Sequence, residues 1–223
     1  MDKQVEKALK AALKRFSEIS NTPVSEFEKR VLDVFGLEAA FMEKVSLMDE
    51  AFDDEPKVEL FRELFFDLLM INFFSEDVKK LEEDYLDSKE WEDIEEDTID
   101  RGTELLNVLL YIRECHDEDI EPELEDFLKE FLLVEEDEFQ DEHRIYEDVI
   151  ANQILMDSSI EEIAKVSEAL PEDSELKELF YSIMAFFYQP YPNQEDIKAV
   201  AENSTDAEYD SSVYALLTSF NKL

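Results

Sequence analysis

Residues 62–69 read RELFFDLL and residues 177–184 read KELFYSIM, so the chain carries nearly the same helical phrase twice. Each phrase runs base, glutamate, Leu-Phe and an aromatic residue, and then one polar residue before two apolar ones. Around the first phrase the apolar positions are Phe61, Leu64, Phe65, Leu68, Leu69, Ile71 and Phe73. A helix that is apolar nearly all round is normally buried on several sides. Both phrases therefore predict central core helices rather than an exposed recognition groove.

The composition predicts an all-α fold. The chain has 223 residues, 44% of them apolar, with 17 Phe but only two Gly and six Pro. Such a chain is long enough to bury a core, and it lacks the tight-turn residues that an all-β sandwich or barrel needs. Apolar residues also recur at three- and four-residue steps. We expect a single domain over residues 1–223 with about twelve helices. They are predicted at 2–20, 23–35, 37–52, 56–74, 76–86, 88–115 (with a break or kink at Gly102), 121–134, 137–156, 159–169, 172–188, 194–203 and 206–221.

The phrase belongs to a longer repetition. Lys44-Val45-Ser46 precedes its first copy and Lys165-Val166-Ser167 precedes the second, and a fainter third copy follows at a spacing of 33–34 residues. That spacing is typical of helical hairpins that stack because one hairpin cannot bury its own apolar face. The predicted hairpins lie at residues 37–74, 159–188 and 194–221. A solenoid-like array and an irregular helical bundle both fit this pattern.

The charge is strongly negative and unevenly distributed. The net charge is −40, and residues 75–150 alone hold 31 acidic and 7 basic residues, whereas residues 1–50 hold 10 and 8. Carboxylates at this density repel one another, hold cations nearby and destabilise the compact state. A basic protein would relieve that repulsion, whereas nucleic acid and anionic membrane would be rejected. Weak association of divalent cations is also expected.

The acidic middle, residues 75–150, supplies the candidate partner-binding residues. Trp91 is the one large residue there that fits either a core anchor or an interface hot spot. The acidic clusters at 117–119 and 135–138 are predicted to begin helices, where carboxylates favour the positive end of the helix dipole. The candidates are Trp91, Glu92, Asp93, Glu95, Glu96, Asp117, Glu118, Asp119, Glu135, Glu136, Asp137 and Glu138.

No catalytic, cofactor or metal motif is present. Neither His116 nor His143 belongs to the Glu-x-x-His pair of a di-iron bundle, and Cys115 is predicted to be inert unless His143 approaches it. The stretch 93–104 imitates the ligand spacing of a calcium loop but lacks the glycine at its sixth position. We therefore predict no enzyme, no cofactor and no dedicated metal site.

The N-terminal segment and the lone cysteine bear on location. The stretch MDKQVEKALKAALKRF has an apolar stripe and four lysines, but no secretory h-region. The alternatives are a helix that binds a membrane surface or an anionic partner and a helix that docks on the core and pairs its lysines with the acidic body; we expect the second. The most apolar run, residues 64–74, is too short to cross a membrane. A single cysteine fits a reducing cytoplasm.

Together these features predict a cytoplasmic, non-enzymatic, acidic interaction protein that binds a basic partner. Two more specific versions of this prediction are an inhibitor or immunity-type protein and a mimic of DNA. In the mimic, carboxylates would take the place of the DNA phosphates. The alternative is a helical-repeat scaffold that binds a peptide in an apolar groove.

Overall fold

The computed structural model describes residues 1–76, 85, 87–99, 101–102, 104–132 and 144–222. These residues form twelve α-helices and two short 3₁₀ helices, with no strand among them. The all-α prediction is confirmed. The helices are α1 Lys3–Ser20, α2 Ser25–Phe35, α3 Phe41–Asp53, α4 Arg62–Glu76, α5 Lys89–Thr98, α6 Leu106–Glu118, α7 Leu124–Leu132, α8 Glu147–Ala151, α9 Ile160–Ala169, α10 Phe180–Tyr188, α11 Gln194–Asn203 and α12 Ala207–Phe220. The 3₁₀ helices are Pro56–Phe61 and Gln153–Asp157.

The two copies of the phrase form the core helices α4 and α10. Every residue from Leu64 to Phe74 is buried, and so is every residue from Phe180 to Phe187. Both helices lack a polar face because other helices surround them. The prediction that the repeated phrase is core rather than surface is confirmed.

Aromatic rings join the first half of the core. Phe65 on α4 is fully buried, and its ring lies 5.6 Å from that of Phe52, 6.0 Å from that of Phe61 and 6.3 Å from that of Phe27. The angles between these rings include edge and stacked arrangements, which the ring quadrupole favours. Phe65 therefore links α2, α3 and the first 3₁₀ helix to α4.

The terminal helices pack against each other. Of all pairs of described helices, α1 and α12 share the most extensive contact. At one end His116 Nδ1 lies 2.7 Å from Gln4 Nε2, and His116 Nε2 lies 3.0 Å from the Asn221 carbonyl oxygen. At the other end the Phe61 ring contacts both Phe16 and Tyr209. The pair is therefore antiparallel, and His116 serves as a polar link between α1, α6 and α12.

The N-terminal helix docks on the core as predicted, but its lysines pair differently. The buried stripe of α1 contains Val5, Ala8, Leu9, Ala12, Leu13 and Phe16. Lys10 pairs with Glu6 at 2.5 Å and Lys14 with Glu18 at 3.9 Å, so both described pairs lie within the helix itself. Carboxylates four residues away along a helix are closer partners than those of another helix.

Several predicted helices begin or end elsewhere, and the predicted helix 37–52 begins only at Phe41. The predicted helix 56–74 is a 3₁₀ turn followed by α4, and the predicted helix 88–115 is split into α5 and α6 on either side of Gly102. The predicted helix 172–188 starts only at Phe180, because residues 171–179 form successive turns in which the N–H groups of Ser174, Lys177 and Leu179 donate to the carbonyl three residues back. The predicted helices 76–86 and 137–156 lie mostly or partly outside the described residues.

Helices of the second half contact one another in a regular order. α9 contacts α10, α11 contacts α12, α9 contacts α11, and α10 contacts α12. Tyr181 on α10 donates to the Val200 carbonyl oxygen of α11 at 2.9 Å, and Tyr214 on α12 donates to the Gln189 carbonyl oxygen at 2.8 Å. In the first half, α2 contacts α3 and α3 contacts α4.

An arginine joins the end of α3 to the start of α4. Arg62 donates to Glu59 at 2.7 Å, to Asp53 at 2.7 Å and to Asp49 at 3.1 Å, and its guanidinium carbon lies 5.3 Å from the centre of the Phe52 ring. The hydrogen bond to Glu59 is the largest cause that raises the pKa of Arg62. The guanidinium therefore bridges three carboxylates and reduces the repulsion among them.

We expect Arg62→Met to lower the free energy of unfolding by about 2 kcal/mol, because charged hydrogen bonds are lost while water partly solvates the exposed acids. Arg62→Lys should recover only part of this, since an ammonium cannot reproduce the planar fork. Urea denaturation measures both. The control is Lys10→Met, whose pair with Glu6 is exposed and should contribute little to stability; equal losses in the two methionine variants would contradict the assignment.

Candidate functional site

An acidic cleft lies between α4, the start of α6, the α9–α10 connection and the start of α12. It consists of two adjoining cavities of about 380 and 600 Å³, which share Glu172, Lys177, Glu178 and Tyr209. Nine carboxylates line it: Glu63, Asp67, Glu104, Glu168, Glu172, Glu175, Glu178, Asp206 and Asp210. These residues, with Leu64, Lys177, Leu179 and Tyr209, are called the acidic cleft below.

Asp67 lies at the most buried point of the acidic cleft. Its side chain is only 2% exposed, and its Oδ2 accepts a hydrogen bond from the Leu105 N–H at 3.2 Å, at the start of α6. Burial raises the pKa of Asp67 well above its usual range, and the nearby Glu104 adds to this effect. Its Oδ1 has no hydrogen-bond partner among the described residues. The backbone N–H groups of Leu105 and Leu106 act in the opposite direction on the pKa, so Asp67 caps the start of α6 from another helix.

Glu63 lies one turn before Asp67 on α4, and it too has one carboxylate oxygen with a hydrogen-bond donor and one without. Its Oε1 accepts from Arg101 at 3.1 Å, while its buried Oε2 lacks a partner in the described part of the chain. Arg101 also pairs with Asp49 and lies 5.3 Å from the centre of the Phe66 ring. This pair is the one ion pair between a cleft carboxylate and a described lysine or arginine.

The lysine of the acidic cleft is directed elsewhere. Lys177 Nζ donates to three backbone carbonyl oxygens, those of Leu170 at 2.7 Å, Ser167 at 3.1 Å and Glu168 at 3.3 Å. These carbonyls end α9, where the helix dipole favours a cation. Lys177 therefore closes a helix and forms no described ion pair with Glu172 or Glu178.

Asp210 marks the other end of the acidic cleft. Its Oδ1 accepts from Ser182 Oγ at 3.1 Å and its Oδ2 from Ser204 Oγ at 2.5 Å. Burial raises the pKa of Asp210 to about 6, although both serine hydrogen bonds act in the opposite direction. Asp210 consequently changes its charge just below neutral pH, in contact with α10.

Tyr209 connects the two cavities. Burial raises the pKa of its hydroxyl, and the negative charges of Glu178, Asp210, Glu104 and Asp67 raise it further. One phenol thus senses carboxylates from α4, α12, the start of α6 and the segment before α10. The ring itself stacks on Phe61 at 6.2 Å, so it also anchors the floor of the cleft to the core.

The predicted partner-binding residues lie elsewhere. Trp91 is partly buried and packs on Phe74 and Tyr85, with ring centres 5.4 and 6.2 Å away. It therefore contributes to the core. Glu92, Asp93, Glu95 and Glu96 are exposed on α5, and only Asp93 among them pairs with a described base, Lys89.

The acidic cluster at 117–119 does not begin a helix, as the sequence predicts, but ends one. α6 ends at Glu118, and Asp119 follows in the left-handed conformation with φ 56°. All three residues are exposed. The charges thus sit at the negative end of the α6 dipole, an unfavourable place that a cationic partner would relieve. Glu135, Glu136, Asp137 and Glu138 lie outside the described residues.

Other chemistry finds little support in the described part of the chain. No group of three His, Cys, Asp or Glu side chains there is close enough to hold a metal ion. The stretch that imitates a calcium loop is the helix α5 up to Thr98. Cys115 is a buried thiol, and His143, its hypothetical partner, lies outside the described residues. No helix in the described ranges combines the length and apolarity needed to cross a membrane.

The acidic cleft was missed by the sequence prediction, apart from the general position of Glu104 in the acidic middle. One signal was available. The polar position inside the repeated phrase is Asp67 in the first copy and Ser182 in the second. Both are buried, and Ser182 hydrogen-bonds Asp210. A polar residue inside an otherwise apolar helix is informative because it must find a partner.

Comparison of the chain with models of known protein families, with curated proteins and with solved structures gave no match.

Proposed function

We propose that this protein is a non-enzymatic, cytoplasmic binder of a basic protein, acting as an inhibitor or immunity-type protein. The observation that carries the proposal is the scarcity of ion pairs among the carboxylates of the acidic cleft, of α5 and of residues 117–119 in the described part of the chain. In the acidic cleft only Glu63 has a described lysine or arginine partner, and Glu92, Glu95, Glu96 and residues 117–119 have none. Self-repulsion at a net charge of −40 is relieved when a cationic surface binds.

Charge complementarity also sets what is rejected. A surface of this sign slows the approach of nucleic acid and anionic membrane and steers a basic protein inward. A mimic of DNA is the more specific version, in which exposed carboxylates of α5 take the place of phosphates. Weak, non-saturating retention of divalent cations accompanies this surface.

The binding experiment uses a decalysine peptide and isothermal titration calorimetry. We expect its affinity to fall at least tenfold between 50 and 500 mM NaCl, because screening shortens the reach of exposed charges. A decaglutamate peptide should not bind. Salt-independent decalysine binding would reject the proposal.

A matched pair of variants tests where the peptide binds. The triple variant Glu92→Gln, Glu95→Gln, Glu96→Gln neutralises α5, and the control Glu26→Gln, Glu43→Gln, Glu50→Gln removes the same charge from exposed sites in the balanced first 50 residues. We expect a clearly larger loss of affinity for the α5 variant. Equal losses would mean that only the total charge matters.

The second candidate function is a helical-repeat scaffold. It is favoured by the ordered contacts among α9, α10, α11 and α12, which fit two stacked hairpins, 159–188 and 194–221. A groove of about 550 Å³, partly lined by Leu124, Met156, Phe187 and Tyr188, would hold the peptide. Apolar binding there would barely change with salt, so the same titration distinguishes the two functions.

A further inference from the structure

Two carboxylate oxygens without donors lie just beneath the wall of the inner cavity of the acidic cleft, with almost no surface open to it. Asp67 Oδ1 and Glu63 Oε2 are buried and have no hydrogen-bond partner among the described residues. The two residues lie four positions apart on α4, which places their side chains on the same face, and both line the cavity of about 380 Å³. A buried polar atom without a partner is costly, so this arrangement favours a ligand that brings N–H donors and positive charge.

We infer that this cavity accepts the primary ammonium of a lysine side chain of the basic partner, and that the side chains of Asp67 and Glu63 turn toward the cavity so that the ammonium donates to Asp67 Oδ1 and Glu63 Oε2. The inference rests on the proposed function and names the residue type that the partner inserts. An ammonium carries three donors and no acceptor, so it can serve both oxygens at once.

A lysine fits better than an arginine because each carboxylate has only one oxygen to offer. The Leu105 N–H occupies Asp67 Oδ2 and Arg101 occupies Glu63 Oε1. Guanidinium recognition is strongest when a carboxylate presents both oxygens to the planar fork. An ammonium is a compact charge that needs no such pair.

The rest of the cavity suits a flexible alkyl chain. Leu64, Leu179 and Tyr209 supply apolar wall, along which the methylene groups of lysine can lie while the charged head reaches the carboxylates. The cavity volume falls within the range of about 300–1,000 Å³ usual for ligand sites. A bare metal ion fits less well, because no three carboxylates of the described chain converge closely enough to hold one.

The inference implies a definite pH dependence. Burial holds the pKa of Asp67 above its usual range, so an ammonium must displace a proton whenever Asp67 is protonated. Binding of the ammonium should therefore strengthen as the pH rises through the raised pKa of Asp67, and it should release protons in doing so. The charged and titratable groups around Asp67 and its cavity are Glu63 on its own helix, Arg101 and Glu104 before α6, Tyr209 on α12, and Glu172, Glu175, Lys177 and Glu178 before α10.

The experiment measures binding of the peptide acetyl-Gly-Gly-Lys-Gly-Gly-amide to the full chain at 50 mM NaCl by calorimetry. Its matched probes carry Nε-acetyllysine or arginine at the central position, and 1,5-diaminopentane serves as a free amine. We expect saturable binding of the lysine peptide, at least tenfold weaker binding of the acetyllysine peptide, and weaker binding of the arginine peptide.

Variants decide whether the cavity is responsible. Asp67→Asn keeps the shape of the side chain and should weaken lysine-peptide binding at least tenfold, and Glu63→Gln should weaken it less. Thermal denaturation confirms that both variants are folded. The α5 triple variant serves as the control, because its charges lie outside the cavity, and it should bind the peptide nearly as well as the original chain.

Three results would overturn the inference: no saturable binding of the lysine peptide, unchanged binding by Asp67→Asn, or binding of diaminopentane at least as tight as that of the peptide, which would assign the cavity to a free diamine. Its failure is separable from that of the proposed function. Salt-dependent decalysine binding that the α5 variant loses and Asp67→Asn retains would leave the proposed function standing without this pocket.

Discussion

Replacing Phe65 by alanine is expected to lower the free energy of unfolding by about 3–5 kcal/mol, the largest single effect that the structure predicts. Phe65 is fully buried in the middle of α4, and its ring contacts those of Phe27, Phe52 and Phe61. Truncation removes these contacts and leaves a cavity that the surrounding helices can fill only in part. Because whole domains are stable by only about 5–15 kcal/mol, the variant would lose a large fraction of its stability.

Urea denaturation followed by circular dichroism measures this change, and the melting temperature should fall by roughly 6–20 °C in a chain of this size. Ile154→Ala is the matched control, since Ile154 is 77% exposed and its truncation should cost no more than about 0.5 kcal/mol. Phe65→Leu, which keeps much of the volume, should lie between the two. A similar stability for Phe65→Ala and Ile154→Ala would show that α4 is not the centre of the core.

The second large effect is a pH-dependent one at Asp210. Burial raises its folded pKa to about 6, whereas an unfolded aspartate titrates near its usual value of about 3.9. The fold therefore favours the protonated form. The stability that this residue contributes is fully present below about pH 4 and is lost as the pH rises through 6, by about 3 kcal/mol.

The variant Asp210→Asn imitates the protonated form at every pH, and its amide can still hydrogen-bond Ser182 and Ser204. Relative to the original chain, it should gain about 3 kcal/mol of stability between pH 3.5 and pH 7. Denaturation at a series of pH values gives this difference directly. Glu208→Gln makes the same charge change at an exposed site two residues away and should show a much smaller pH-dependent difference. Parallel stability curves for Asp210→Asn and the original chain would contradict the raised pKa.

Both predictions depend on features that differ in how well the sequence reveals them. The burial of Phe65 can be predicted from the sequence, because its helix is apolar on nearly every side. A helix of this kind is normally surrounded by other elements. The raised pKa of Asp210 cannot be predicted in this way, since Asp210 stands next to Tyr209, Ser211 and Ser212 in a stretch that reads as a moderately polar helix. Its environment comes from Ser182 and Ser204, one of them 28 residues away.

The helix boundaries illustrate the same limit. Local patterns place α1, α9, α11 and α12 within a few residues, because apolar periodicity and polar caps act within one turn. The same patterns are wrong for the segment before α10. Its residues favour helix, yet Lys177 donates to the carbonyls at the end of α9 and the chain runs in turns until Phe180. A distant contact outweighs a local preference of a few tenths of a kcal/mol per residue.

By itself the sequence determined the helical class, the identity of the two central helices and the negative sign of the surface, because apolar periodicity and net charge belong to the chain whatever its path. Only the tertiary structure decided where that charge becomes specific. Asp67, Glu104, Glu178 and Asp210 are far apart in sequence, and they share one cleft because the four segments that carry them come together in the fold. Coulomb interaction and desolvation depend on distance and burial, and these exist only once the helices have come together.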